Sequence, residues 1–192
     1  MSARSSRLQP LTPTSIFPEL QSPQLDARLA LQRIAHVEIH DSIKHNSKRY
    51  YVINIYFQLS QSHIPTNCVY TGRKPDLQVD RSFSEFIHLR NSIYDCANPR
   101  HNNYCGYCSR AVDFVLMGPS QPRTITKVLS SDKWIRHTLE VFITEVLKLA
   151  LGAKLPRGAQ CPAQETLPLL VKEFLAADVL EVERASEDVW SI

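Results

Sequence analysis

The sequence predicts an α+β fold, a three-stranded antiparallel sheet with helices packed beside it. Three observations carry that expectation. Apolar and polar residues alternate in three early stretches, near 29–39, 51–59 and 76–83, which is the period of half-buried strands. Later stretches, after residue 83, from 131 to 149 and from 167 to 175, repeat their apolar residues at helical spacing. With 192 residues, 43% of them hydrophobic, the chain can bury the core of one ordinary domain and still carry tails.

The elements follow in order. Residues 1–24 hold Pro10, Pro13, Pro18 and Pro23 among Ser, Thr and Gln, and this composition reads as a disordered arm. Leu29, Leu31, Val37 and Ile39 then alternate with polar neighbours as a first strand. After the turn-like Lys44-His45-Asn46-Ser47, a second strand places Tyr51, Ile53, Ile55, Phe57 and Leu59 on one face, so the two form a long hairpin. In the third strand Leu77, Val79, Arg81 and Phe83 alternate with Gln78, Asp80 and Ser82. Ser82 or Ser84 can cap the helix that follows, whose apolar stripe is Phe86, Leu89, Ile93 and Ala97. From 98 to about 130 the chain carries Pro99, Gly106, Gly118, Pro119 and Pro122 and reads as irregular. Ser131-Asp132 opens a strong amphipathic helix with Ile135, Leu139, Phe142, Val146 and Leu149 on one stripe. A last helix with Leu167, Leu170, Val171, Phe174 and Leu175 lies within a segment, 154–179, expected to pack on the domain, ahead of an acidic tail at 180–192.

Charge is unevenly divided. Asp178, Glu181, Glu183, Glu187 and Asp188 against Arg184 give the last 17 residues a net of −4, which leaves +7 on the rest against +3 overall. A basic body suits an anionic membrane surface, and it would suit nucleic acid too. Its charges are scattered, however, and no nucleic-acid motif is present, so no nucleic-acid partner is expected. No apolar run approaches the roughly 18–20 residues of a membrane span. The start, Met1-Ser2-Ala3-Arg4-Ser5-Ser6-Arg7, leads into prolines rather than an apolar signal core, so a cytosolic protein is expected. Five glycines, none in a Gly-x-Gly setting, leave no phosphate loop, and neither Gly-x-Ser-x-Gly nor His-Glu-x2-His occurs. His36, His40 and His88 are isolated on strand or helix faces, and no catalytic residue is assigned.

The junction at 81–83 is the first place where chemistry concentrates. An arginine and an aromatic ring at a strand-to-helix turn can hold an inositol phosphate, the guanidinium by charge-assisted bonds and the ring by stacking. Equally, Phe83 can be core and Arg81 a solvated charge at a strand end. The run Phe83-Ser84-Glu85-Phe86 at the head of a helix, after three strands, resembles the signature of phox-homology (PX) domains, which read phosphoinositide headgroups on membranes. In that family an arginine precedes the aromatic residue; here Ser82 holds that place and Arg81 lies one earlier. Arg136-His137-Thr138-Leu139-Glu140-Val141-Phe142-Ile143 is similar to the family's later helix, with Ile135 where the ring-contacting arginine usually stands and Arg136 next to it. Pro119-Ser120-Gln121-Pro122-Arg123 resembles a shortened form of the family's proline-rich membrane loop.

The resemblance covers about residues 30–150, inside a domain expected at 25–153 with a cysteine-containing insert at about 96–120. It implies peripheral binding to phosphoinositide-containing membranes, with the 3-phosphate form as headgroup and endosomes as the site. Arg81 and Arg123 would pair with phosphate, Phe83 would face or support the inositol ring, and Arg136 would close the other side. The alternative is an interaction module that keeps the fold without lipid specificity and meets a protein partner through its C-terminal helix or acidic tail. Phe114-Val115-Leu116-Met117, between Asp113 and Gly118, is either an apolar wedge beside the headgroup or the buried end of a short helix.

The cysteines are a separate signal. Cys96, Cys105 and Cys108 fall within 13 residues, and Cys161 begins the approach to the last helix. Cys105-x2-Cys108 has the spacing at which two thiolates grip one tetrahedral Zn²⁺ at about 2.3 Å, with Cys96 as a third ligand. Cys161 is the preferred fourth and His101 the other candidate, because a site using Cys161 would tie the long loop to the C-terminal helix. Structural zinc is one reading and buried free thiols the other. A disulfide does not suit a cytosolic chain, and a redox pair would need a thioredoxin-like setting. Cys68 reads as incidental.

Overall fold

The computed structural model describes residues 22–58, 73–98, 105–124, 131–152 and 161–176. The arm at 1–21, Leu59, Cys68, His101 and the acidic tail lie outside the described residues. The fold is α+β, with five helices and one three-stranded antiparallel sheet among the described residues.

The first element is a helix, α1 (Pro23–Gln32), where a disordered arm to residue 24 and then a strand through Leu29 and Leu31 were expected. Ser22 caps it, its hydroxyl accepting the Leu25 N–H at 3.3 Å, and Pro23 occupies the opening turn, where a missing N–H leaves no bond unmade. Ala27 and Leu31, one turn apart, are buried, while Leu29 is exposed. The short alternation there was half of a helical stripe.

The sheet follows as β1 (Ile34–His45), β2 (Lys48–Phe57) and β3 (Leu77–Ser82), with β2 in the middle. The hairpin turns on Asn46 and Ser47, with φ of 48° and 64°. Such a two-residue turn takes left-handed backbone at both positions; Asn tolerates it, and Ser47 holds a seat that glycine usually fills. Register sets Val37 opposite Ile55, Ile53 opposite Val79 and Tyr51 opposite Arg81. A register shift in β1 between Glu38 and Asp41 turns the Ile39 N–H out of the strand pairing, and Glu140 accepts it at 2.8 Å through Oε2.

Four helices complete the fold: α2 (Phe83–Ala97), α3 (Gly106–Met117), α4 (Asp132–Leu151) and α5 (Pro162–Ala176). α3 corrects the expectation of irregular chain from 98 to 130. Tyr107, Cys108, Ala111 and Val115 bury one face of it, and packing on α2 overrides the glycines and prolines that flank it. Phe86 of α2 lies at the centre of the helical layer. Its ring stands edge-on to Phe142 of α4, with centroids 6.4 Å apart, and to Phe174 of α5 at 5.0 Å. Phe114 of α3 stacks on Phe142 at 5.8 Å, so all four helices share one core. α4 also packs on β1, and α5 packs on both α1 and α2. Among the described residues, no helix is long and apolar enough to cross a membrane.

Candidate functional site

Three cysteines, distant in sequence, meet in space. Cys105 is the N-cap of α3, Cys108 lies in its first turn, and Cys161 directly precedes α5. Their Sγ atoms all lie within 4.8 Å of one another, with Cys161 at 3.5 Å from Cys105 and 3.2 Å from Cys108. An S–S bond is about 2.05 Å, so these are thiol contacts. Two sulfurs on one tetrahedral zinc stand about 3.8 Å apart, a few tenths of an ångström more than the two contacts to Cys161.

The surroundings bear on thiolate chemistry. Amide N–H groups at the start of α3, chiefly that of Cys108, hold the Cys105 thiol below its ordinary pKa, in line with the positive end of a helix. Burial pushes the Cys108 thiol well up. Cys96, on the last turn of α2, is not one of the three. Its thiol donates to the Ile93 carbonyl at 3.2 Å, and burial raises its pKa to about 11. Tyr107 is shifted strongly upward, by burial first and then by the nearby Cys96 and Cys161.

The arginines and aromatic residue expected to share a headgroup are held by separate partners. Arg81, 6% exposed, lies under α5: its Nε donates to the Phe174 carbonyl at 2.9 Å, and its guanidinium stands 5.5 Å from the Phe174 ring. Ser82, in the place of the family's arginine, serves the helix instead. Its N–H and hydroxyl both donate to Glu85 Oε2, at 2.8 and 2.5 Å. Phe83 is 2% exposed and edge-on to Tyr51, so it is a core residue rather than a face for an inositol ring. Beside Arg81, a cavity of about 330 Å³ opens between α2 and α5, lined also by Glu85, His88, Ser92 and Glu173. Its two carboxylates weaken it as an anion pocket. Arg136 pairs with Asp132 at 3.6 Å, and Asp132 also receives Arg49 and the Ser42 hydroxyl, so its charge is spent between α4 and the hairpin.

Arg123 is differently placed. It is exposed and donates through Nη2 to the Leu116 carbonyl at 2.8 Å, at the C-terminus of α3. Arg90 of α2 donates to the preceding carbonyl, that of Val115, at 3.4 Å. Two guanidinium groups thus meet on consecutive carbonyls of one helix end. Burial and then the charge of Arg123 hold the Arg90 pKa below the usual arginine value, and its Nε–H is buried with no acceptor among the described residues. Arg90 escaped the sequence reading, although it stands four residues after Phe86 on the buried side of α2, where a cation needs a reason.

Beside this pair the apolar run divides. Val115 is buried and Phe114 stacks in the core, as a helix end would have it, while Leu116 is 45% exposed and Met117 81%. Gly118 then lets the chain turn close. A Cβ there would stand 2.5 Å from the Phe114 carbonyl and 2.6 Å from Gln121 Nε2, the group that donates to that carbonyl. At the far end of the same connection, Trp134 in the first turn of α4 is 49% exposed, next to exposed Lys133. Compared with protein-family models, curated proteins and solved structures, the chain matches none of them.

Proposed function

We propose that this chain is a peripheral membrane module that docks on anionic bilayers through the connection between α3 and α4 and takes a phosphoinositide headgroup beside Arg123. The observation that carries the reading is the Arg90 and Arg123 pair, seated on the end of α3 next to exposed Leu116 and Met117. An apolar tip flanked by cations can insert among acyl chains while the cations meet lipid phosphate. A lipid phosphate beside the pair would relieve the repulsion between Arg90 and Arg123. The likeness of Phe83-Ser84-Glu85-Phe86 to PX domains selects phosphoinositide among anionic lipids. The other reading, a PX-like interaction module without lipid specificity, is favoured by the engagement of Arg81 under α5 and of Phe83 in the core.

Sedimentation with vesicles separates the two. The purified chain meets neutral vesicles, phosphatidylserine vesicles and vesicles carrying each phosphoinositide at matched charge, at two salt concentrations. Preference for a phosphoinositide, weakened by salt and by Arg123→Ala, supports the proposal. Binding equal to matched phosphatidylserine, or none, favours the interaction module.

The same chain has chemistry for one structural metal ion. We propose that Cys105, Cys108 and Cys161 hold zinc. Sulfur donors suit it, their spacing is close to that on a tetrahedral ion, and bridging the starts of α3 and α5 would offset the entropy of ordering the chain between.

A further inference from the structure

The metal reading can be taken to its full ligand set. Three protein sulfurs leave one position of a tetrahedral ion open, which is the arrangement of a catalytic site, whereas structural zinc sites are closed by a fourth protein ligand. These thiols tie helix ends together, and among the described residues no catalytic constellation accompanies them, so the closed form is the one to seek. We infer that Cys96 is the fourth ligand and that the site is a four-thiolate zinc staple joining α2, α3 and α5.

Cys96 sits on the last turn of α2, the helix that packs on both α3 and α5, whose first residues carry the other three sulfurs. It is part-buried and packs against the same core as Cys105, Cys108 and Cys161. Its thiol donates to the Ile93 carbonyl of its own helix, three residues back. Its sulfur lies outside the cluster of the other three, so ligation would require the side chain to give up that weak bond and turn toward them. The proposal rests on the zinc reading above, and the test keeps the two apart.

The full chain, purified with zinc present, is measured for metal content by mass spectrometry and for ligand type by X-ray absorption at the zinc edge. One zinc per chain with four sulfur neighbours at about 2.3 Å supports the assignment. Cys96→Ser should then weaken zinc binding beyond the roughly 10–100-fold that outer partners cost, while His101→Ala leaves it unchanged. Three sulfurs with one nitrogen or oxygen at about 2.0–2.1 Å would overturn the role of Cys96 and leave the zinc reading standing. A chain that holds no zinc would overturn both.

Discussion

Replacing Met117 with serine tests the membrane reading where it is most exposed. The side chain is 81% accessible at the end of α3, so nearly all of its apolar surface is available to be buried by a bilayer. Fully burying a methionine contributes about 1.5–3 kcal/mol, and four-fifths of that is about 1.2–2.4 kcal/mol. Met117→Ser should therefore weaken vesicle binding by roughly 8- to 60-fold. Leu116, 45% exposed, should contribute about half as much. Arg123→Ala acts through charge. Near an anionic surface one arginine contributes about 1 kcal/mol, a loss of roughly fivefold, and this effect should shrink at high salt while the Met117 effect persists. The assay is titration with phosphoinositide vesicles at two ionic strengths, with thermal melting as the control. Because Met117 touches little of the fold, the melting temperature should not move. Binding within twofold of the parent for Met117→Ser, at an unchanged melting temperature, would refute the reasoning.

Other consequences concern the scaffold. Arg81→Ala removes the donor from the Phe174 carbonyl and should destabilise the fold by about 1–3 kcal/mol in chemical denaturation, with little change in lipid selectivity; selective loss of headgroup binding would restore Arg81 as a ligand. Glu140→Ala strands the Ile39 N–H at the irregularity in β1 and should cost about 1–3 kcal/mol, read the same way; an unchanged midpoint would mean that another group satisfies it. Ser47→Gly relieves a left-handed serine at φ 64° and should stabilise the hairpin by up to about 1 kcal/mol, seen as a higher melting temperature; a lower one would show that the turn is not as described.

The sequence was legible wherever one period ran long enough to outvote its surroundings. β2 and β3, α2, α4 and α5 all stand where alternation or a helical stripe placed them. α1 was misread because Leu29, Leu31, Val37 and Ile39 share a parity, although Arg33 ends a helix between the two pairs. α3 was missed because Gly106 and Gly118 look like loop signals, yet they only bracket the helix, and its buried face is defined by contact with α2. Spacing alone drew Cys105 and Cys108 together, and Cys161 joined them as expected, since the start of α5 packs beside the start of α3. The arginines were harder. Charge and local pattern pointed to Arg81, but a long-range partner, α5, covers it, and no local pattern records that cover. Arg90 became visible only when Val115 and Leu116 turned their carbonyls toward two guanidinium groups at once.

Trp134 offers the most direct test of membrane docking through the α3–α4 connection. The chain has two tryptophans, Trp134 and Trp190, so Trp190→Phe leaves a single reporter at the start of α4. Its fluorescence is followed on phosphoinositide vesicles containing brominated acyl chains, which quench only an indole that reaches them. The proposed orientation predicts a blue shift and strong quenching on binding. Vesicle binding with Trp134 emission unshifted and unquenched would place the membrane on another face, and no binding at all would contradict the function itself.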